Sequence, residues 1–516
     1  MDRTIKNPLY AVVSIAFILF IAFPVVYTFG MAVFAEGSLS PGLFENGILS
    51  LLLKSGIIAL LVALLSTILG TALGFLVYRT NIIFRDVFKV LLLIPLVISP
   101  YILAVAWKDV FLNFFSSMGH LSAYFGVILV LTSIYTPLSM LVVGSALSNI
   151  DVQFEEAGLM MTKFHRVLFK IVLPLIKPAL LSSLVLVFIF SISEFSVPAF
   201  FSIRVFTTEI FTQFSAFYNH STAIMQSVAL ISICFLLLFA EGKYISDAPF
   251  LSMGGKGVND KRNHSQGRNW PGLIFLSSWL FISVIVPMLL LVIQSFNGGT
   301  GRFIQAWGLL MPTFGTSIGL AFSGALIIVL FAFIIARSGN KIRGSKSGIS
   351  FDYLVLFIFA IPSTTYGISL IKFYNQPILN SIYSSYLIIL IAYVGKFLFI
   401  STKLISNALK QIPKSLDEAA QLQGVKAFSR ILKIQIPLIM PTLLTAFVIS
   451  FIYCIGELGT TIMVYPPGSE LMPIKIYTIM ANAPQALTSS MTLIVFTITL
   501  LPITGFYFLI KRLKKY

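Results

Sequence analysis

Apolar runs of roughly 20 residues recur along the whole chain, each bounded by a short polar or basic segment. About 20 helical residues cover the ~30 Å hydrocarbon core of a bilayer, so each run reads as a membrane-crossing helix. The runs are continuous rather than alternating, which argues against a β-barrel. The first run ends at Phe34. Others lie near 56–77, near 90–107 with breaks at Pro95 and Pro100, near 125–147, from about Ala179, and near 223–240. Six more follow, near 271–295, 316–336, 353–371, 386–407, 441–463 and 490–510. The expected fold is an all-α integral membrane protein of about twelve spans in two parallel six-helix repeats.

The polar stretches between the runs carry the repeat. Residues 151–178 read DVQFEEAGLMMTKFHRVLFKIVLPLIKP, and 414–441 contain the matching KSLDEAAQLQGVKAFSRILKIQIPLIMP. Glu155 aligns with Glu418, Ala157 with Ala420, Ile171 with Ile434 and Pro174 with Pro437, at a constant offset of 418 − 155 = 263. Ser415 and Glu418 have the spacing of a capping box. Ala419 and Ala420 strip bulk from one helix face. Gly424 permits a sharp turn, because glycine enters positive φ cheaply. A second basic helix over 426–433 then returns the chain to the membrane. The product is a helix–turn–helix elbow, made twice. In the first copy Glu156 replaces an alanine and Met161 the glycine, so its turn is expected to differ, with Gly158 allowing an altered one.

Only 10% of the residues are charged, against about 25% in soluble domains, yet the net charge is +17. The basic residues sort between spans: Arg79, Arg85 and Lys89 after the second; Arg337, Lys341, Arg343 and Lys346 after the eighth; Lys511, Arg512, Lys514 and Lys515 after the twelfth. Topology explains this charge better than a nucleic acid does, and no nucleic-acid partner is expected. The positive-inside rule places both termini and both elbows in the cytoplasm. Arg3 and Lys6 precede the first run, whose length exceeds the ~7–15 residues of a cleaved signal; it is read as a retained span. The loop 36–46 is expected outside, and 241–269, rich in Gly, Ser and Asn, as a cytoplasmic linker. Cys234 and Cys454 both fall inside apolar runs and read as core residues. The four histidines, His120, His165, His220 and His264, are scattered.

The doubled loop resembles the E-A-A, three residues, G, nine residues, I-x-x-P motif of permease subunits in binding-protein-dependent ABC importers, carried here by Glu418, Ala419, Ala420, Gly424, Ile434 and Pro437. In that family the elbow is a coupling helix that enters a groove on the ATPase subunit. The resemblance assigns ATPase coupling to Glu155, Glu156, Ala157, Met161, Glu418, Ala419, Ala420 and Gly424. It implies two ATPase subunits, which would hold ATP and Mg, an external substrate-binding protein, and a bacterial-type inner membrane; this chain would bind no cofactor itself. The halves are then 1–240 and 270–516. Fusion of both halves in one chain, with ISEFSVP and VYPPGSELMPIKIYTIM, is similar to the ferric-iron importers. Related layouts carry thiamine, aminoalkylphosphonates or polyamines.

Two acidic residues also share the register: Glu194 in FSISEFSVPAF and Glu457 in YCIGELGTTIM, flanked by Ser193, Ser196, Gly456 and Thr460. A charge centred in a span costs about 2.5–3.5 kcal/mol on insertion scales. One reading makes these residues line the translocation pathway, where small neighbours open the helix to a cavity. The other makes each a glutamate near the interface, hydrogen-bonded to a neighbouring helix. Both stand.

Duplicated bundles occur in secondary transporters too, but these have little use for two elbows. No H-E-x-x-H pair and no nucleophile motif is present, so no enzymatic activity is expected. GNKIRGSKS at 339–347 fails as a phosphate loop, because Ser345 separates Gly344 from Lys346 and no strand precedes it.

Overall fold

The structure is a computed structural model describing residues 8–34, 47–114, 120–244, 270–297, 299–342 and 346–513. Arg3, Lys6, the loop at 36–46, linker residues 245–269 with His264, residues 343–345 of the phosphate-loop lookalike, and Lys514 and Lys515 lie outside them. Among the described residues the chain is helical throughout, with no strand. Nine helices there are long and apolar enough to cross a membrane, and three bent pairs raise the number to twelve.

The bent pairs are Arg85–Val97 with Pro100–Leu112 (86°), His165–Leu175 with Lys177–Ser193 (67°), and Phe351–Ala360 with Ser363–Tyr374 (106°). In the first and third the break falls at Ile98-Ser99 and Ile361-Pro362, which are equivalent under the 263-residue offset. Proline explains both, because the residue before it is pushed out of the helical region and its own missing N–H suits a helix start. The third span therefore runs past its expected end at Trp107. The eighth begins well before 316: a single helix covers Thr300–Ile342, and its polar first turns hid it from a purely apolar reading.

Prolines leave a second repeated mark. Ile18–Ala22, Leu168–Val172, Phe281–Ile285 and Ile431–Gln435 each form one π turn. In each, the N–H of the following residue (Phe23, Leu173, Val286 or Ile436) reaches back five residues, to the carbonyl of Ile18, Leu168, Phe281 or Ile431. A proline comes next every time: Pro24, Pro174, Pro287 and Pro437. The ring collides with the carbonyl four residues back, and an i→i−5 bond widens the turn just ahead of it. Since 281 − 18 and 431 − 168 both equal 263, the backbone repeat reaches back into the first span.

The chain divides into two compact units, one of 1–36, 307–479 and 494–516, the other of 37–306 and 480–493. This partition is not that of the sequence repeats, because each unit draws in the opening span of the other repeat. In the first unit, Tyr374 donates to the Phe20 carbonyl (2.8 Å), Gln376 donates to the Tyr27 hydroxyl (2.9 Å), and Phe17 packs edge-on against Phe351. In the second, Leu276 of Trp270–Phe296 joins Leu73, Val77, Leu92 and Met140 in one apolar cluster, and Gln294 donates to the Ala106 carbonyl (3.2 Å). Within that second unit, Ile48–Arg79 and Leu121–Ser148 approach closely: a Cβ on Gly70 would stand 2.4 Å from the Cβ of Ser139. Small residues let membrane helices meet this way.

Candidate functional site

The first elbow opens on Asp151, whose carboxylate accepts the Gln153 N–H (3.1 Å) and caps the helix Val152–Met161. Glu155 lies on the inner face, 5% exposed, with its Oε1 3.4 Å from Nε of Arg79. The same guanidinium donates through Nη2 to the carbonyls of Leu147 and, at 2.8 Å, Ile150. Burial pushes the Glu155 carboxyl up, and the Arg79 charge opposes that rise. Glu156 and Ala157 face outward, and Met161 is 90% exposed. No residue with positive φ makes this turn; Thr162, extended at φ −154°, ends the helix instead. Gly158 is not the turn residue that its position suggested. It sits inside the helix, where a Cβ would meet Ile171 Cδ1 at 2.8 Å, so its smallness lets the returning helix pack close.

The second elbow has the expected glycine turn. Gly424 stands at φ +74°, with its N–H on the Gln421 carbonyl (3.0 Å) and the Val425 N–H on Ala420 (3.1 Å). Those two bonds close a Schellman-type end on the helix Lys414–Leu422. The expected capping box is absent: the N-cap is Pro413, and Ser415 lies two residues beyond it, inside the helix. Ala420 is 8% exposed, while Ala419 and Glu418 face outward. The predicted separate helix at 426–433 is instead the start of a continuous run through the π turn into Ile436–Gly456.

The two matched glutamates therefore have different surroundings. In the second elbow the anchoring carboxylate is Asp417, one residue earlier, 3.7 Å from Arg430. Arg430 also donates to the Asp417 carbonyl (3.3 Å) and to Gln421 (3.2 Å). Gln435 bridges Asp417 (3.5 Å) to Arg337 (2.9 Å). The sequence treated Arg79 and Arg337 as topology markers only; their position one turn from a span end was the available hint that each could reach an elbow. Both elbows also present apolar side chains outward: Phe154, Met160 and Met161 on the first, Leu422 and Phe428 on the second. Exposed apolar surface on an otherwise polar elbow suits a partner protein.

Glu194 and Glu457 end their helices at the same register and with almost the same backbone, φ −74° ψ 128° and φ −74° ψ 124°. Each carboxylate caps the turn that follows. Glu194 Oε1 accepts the Ser196 N–H (2.9 Å) and hydroxyl, and Tyr135 approaches its Oε2 at 3.5 Å. Glu457 accepts the N–H groups of Thr460 (2.7 Å) and Thr461 (2.8 Å). Ser193 lies beside Cys234 (3.7 Å), and Gly456 is the last residue of its helix. Among the described residues no group of three or more His, Cys, Asp or Glu could hold a metal ion. In the first unit, Tyr386, Tyr465, Glu470 and Lys475 line a cavity of about 650 Å³.

Sequence comparison places this geometry among known proteins. The family described as the binding-protein-dependent transport system inner membrane component matches residues 66–242 and 328–515, one elbow in each segment. The chain is similar to the Fe(3+)-transport system permease protein FbpB 2 of Haemophilus influenzae, 25% identical over 474 residues and 91% of both chains. It is 25% identical to the ferric transport system permease protein FbpB of Actinobacillus pleuropneumoniae over 87% of this chain and 70% of that protein. A putative 2-aminoethylphosphonate transport system permease protein, PhnV of Salmonella paratyphi A, is 30% identical over 157 residues, 30% of this chain and 58% of that one.

Proposed function

This chain belongs to the inner membrane components of binding-protein-dependent transport systems, and we infer that it is the fused permease of an ATP-driven importer whose cargo is ferric iron. The doubled elbow supports the permease role, since each copy offers an outward face with apolar side chains for a partner. The cargo rests on one observation: the similarity that spans nine-tenths of the chain is to a ferric permease, while the phosphonate permease matches less than a third.

In this reading the elbows and both termini face the cytoplasm. Each elbow seats one copy of an ATPase subunit, ATP and Mg are held on those subunits, and an external binding protein delivers the cargo. Closure of the two ATPases on ATP pushes the elbows, and the spans behind them open the pathway. Glu194 and Glu457, with Ser193, Ser196, Gly456 and Thr460, are the proposed pathway residues. Both helices stop there, which leaves polar backbone beside a carboxylate, and a hard cation favours such oxygen ligands. The carboxylates already cap the next turn, so any contact with cargo is weak and easily exchanged.

The test is uptake by vesicles holding this chain with its ATPase and binding protein. ATP-dependent accumulation of ferric iron is the expected result. Accumulation of 2-aminoethylphosphonate, thiamine or a polyamine in place of iron would keep the permease reading and replace the cargo.

A further inference from the structure

The two elbows are tied to their bundles by different chemistry. In the first, one guanidinium joins three elements: Arg79 is the last residue of the helix Ile48–Arg79, its Nη2 takes the end carbonyls Leu147 and Ile150 around the close of His120–Asn149, and its Nε faces Glu155 on the elbow helix. Both side chains of the pair are nearly buried. A planar fork of this kind fixes angle as well as distance, and a buried pair resists separation because parting it strands a charge out of water. In the second elbow the tie to the long helix Thr300–Ile342 runs from Arg337 through the neutral amide of Gln435 to Asp417, and its last link is 3.5 Å long. Glu418, the register mate of Glu155, faces outward.

We propose that Arg79 is a positioning residue that clamps the first elbow to the second and fourth spans, making that elbow the stiff arm through which ATPase movement reaches the membrane, while the second elbow is the compliant one. The transmission part rests on the permease reading; the clamp does not. A stiff arm passes displacement to the spans, whereas a compliant one absorbs part of it. ATP turnover without transport is therefore the expected penalty for loosening the first.

Two measurements separate these parts. Spin labels at Glu156→Cys and Ala419→Cys, matched outward positions on the two elbows, are read in the full chain in lipid nanodiscs; Cys234 and Cys454 are buried and do not compete. The label at 156 is expected to be the less mobile, and Glu155→Gln, which spares the carbonyl bonds of Arg79, should raise its mobility about twofold without changing that at 419. In transporting vesicles, Glu155→Gln should raise ATP hydrolysed per ion imported about threefold, read per assembled complex. Arg79→Lys, which keeps the charge but loses the fork, should fall between, and Gln435→Leu should move the ratio less. Unchanged mobility at 156, or an equal rise at 419, overturns the clamp. A raised mobility with an unchanged ratio, or loss of complex and transport in parallel, overturns the transmission role. Should the wild-type chain assemble with no ATPase, the permease reading fails, and the label data still decide the clamp.

Discussion

Lys396 donates its ammonium to the carbonyl oxygen of Ile361 at 2.7 Å, across the break that bends Phe351–Ala360 from Ser363–Tyr374 by 106°. It also reaches the Phe359 carbonyl at 3.3 Å and is 8% exposed. A broken helix frees carbonyls that lipid cannot satisfy, and the lysine satisfies two of them. The register mate of Lys396 in the other repeat (396 − 263) is Ser133, whose hydroxyl bonds within its own helix to Leu129. Lys396→Met should therefore lower the melting temperature of the purified chain, at about 1–3 kcal/mol for each carbonyl left unpaired. Thermal unfolding in detergent measures this, and a melting point at or above wild type would deny Lys396 that role.

Replacing Glu418 by Arg together with Gly424 by Val should remove ATPase binding from the second elbow while the chain still inserts. Valine at φ +74° is strained by about 1–3 kcal/mol, and the arginine reverses an outward charge. Co-purification of the full complex at wild-type yield would sink the docking assignment.

Matched damage to the two elbows should be unequal. Ala157 faces outward, whereas Ala420 is buried, 8% exposed. Ala157→Arg alters the outward docking face alone; Ala420→Arg must also expel a charge from a packed face, costing about 3 kcal/mol or more. Transport at equal expression compares them, and an equal or greater loss at Ala157 contradicts the argument.

Glu194→Gln keeps the oxygen that caps the following turn and removes the charge, whereas Glu457→Gln removes the charge and one of the two oxygens that take the Thr460 and Thr461 N–H groups. If the cargo is a ferric ion, each should slow uptake by about tenfold, the effect of ~1.4 kcal/mol, without disturbing ATPase assembly. Wild-type uptake in both single variants and the double would remove these residues from the pathway.

Gly158→Ala tests the packing role of that glycine. The added methyl would meet Ile171 and Val167 closely, and overpacking of this kind costs about 1–3 kcal/mol. The first elbow should become more sensitive to proteolysis, and unchanged cleavage there would show that the contact relaxes freely.

Much of this protein is legible in its sequence because the signals are local. A span is a sum of transfer free energies over about 20 neighbouring residues, so the runs declare themselves. The 263-residue offset needs only comparison of the chain with itself, and Pro100 and Gly424 state a break and a turn through their own backbone limits. Tertiary structure decided what depends on distant approach. Nothing beside Glu155 or Glu418 says that one is buried on an arginine 76 residues earlier (155 − 79) while the other gives up its anchoring place to Asp417. Local spacing offered Ser415 as a cap and Gly158 as a turn, yet the first lies inside its helix and the second is pressed against Ile171. A lone lysine in an apolar run signals only a cost; that it closes a broken helix 35 residues away appears when the two spans pack. The same holds for the opening spans, Tyr10–Met31 and Trp270–Phe296, whose even hydrophobicity lets them insert anywhere and leaves the choice of packing unit to side-chain fit.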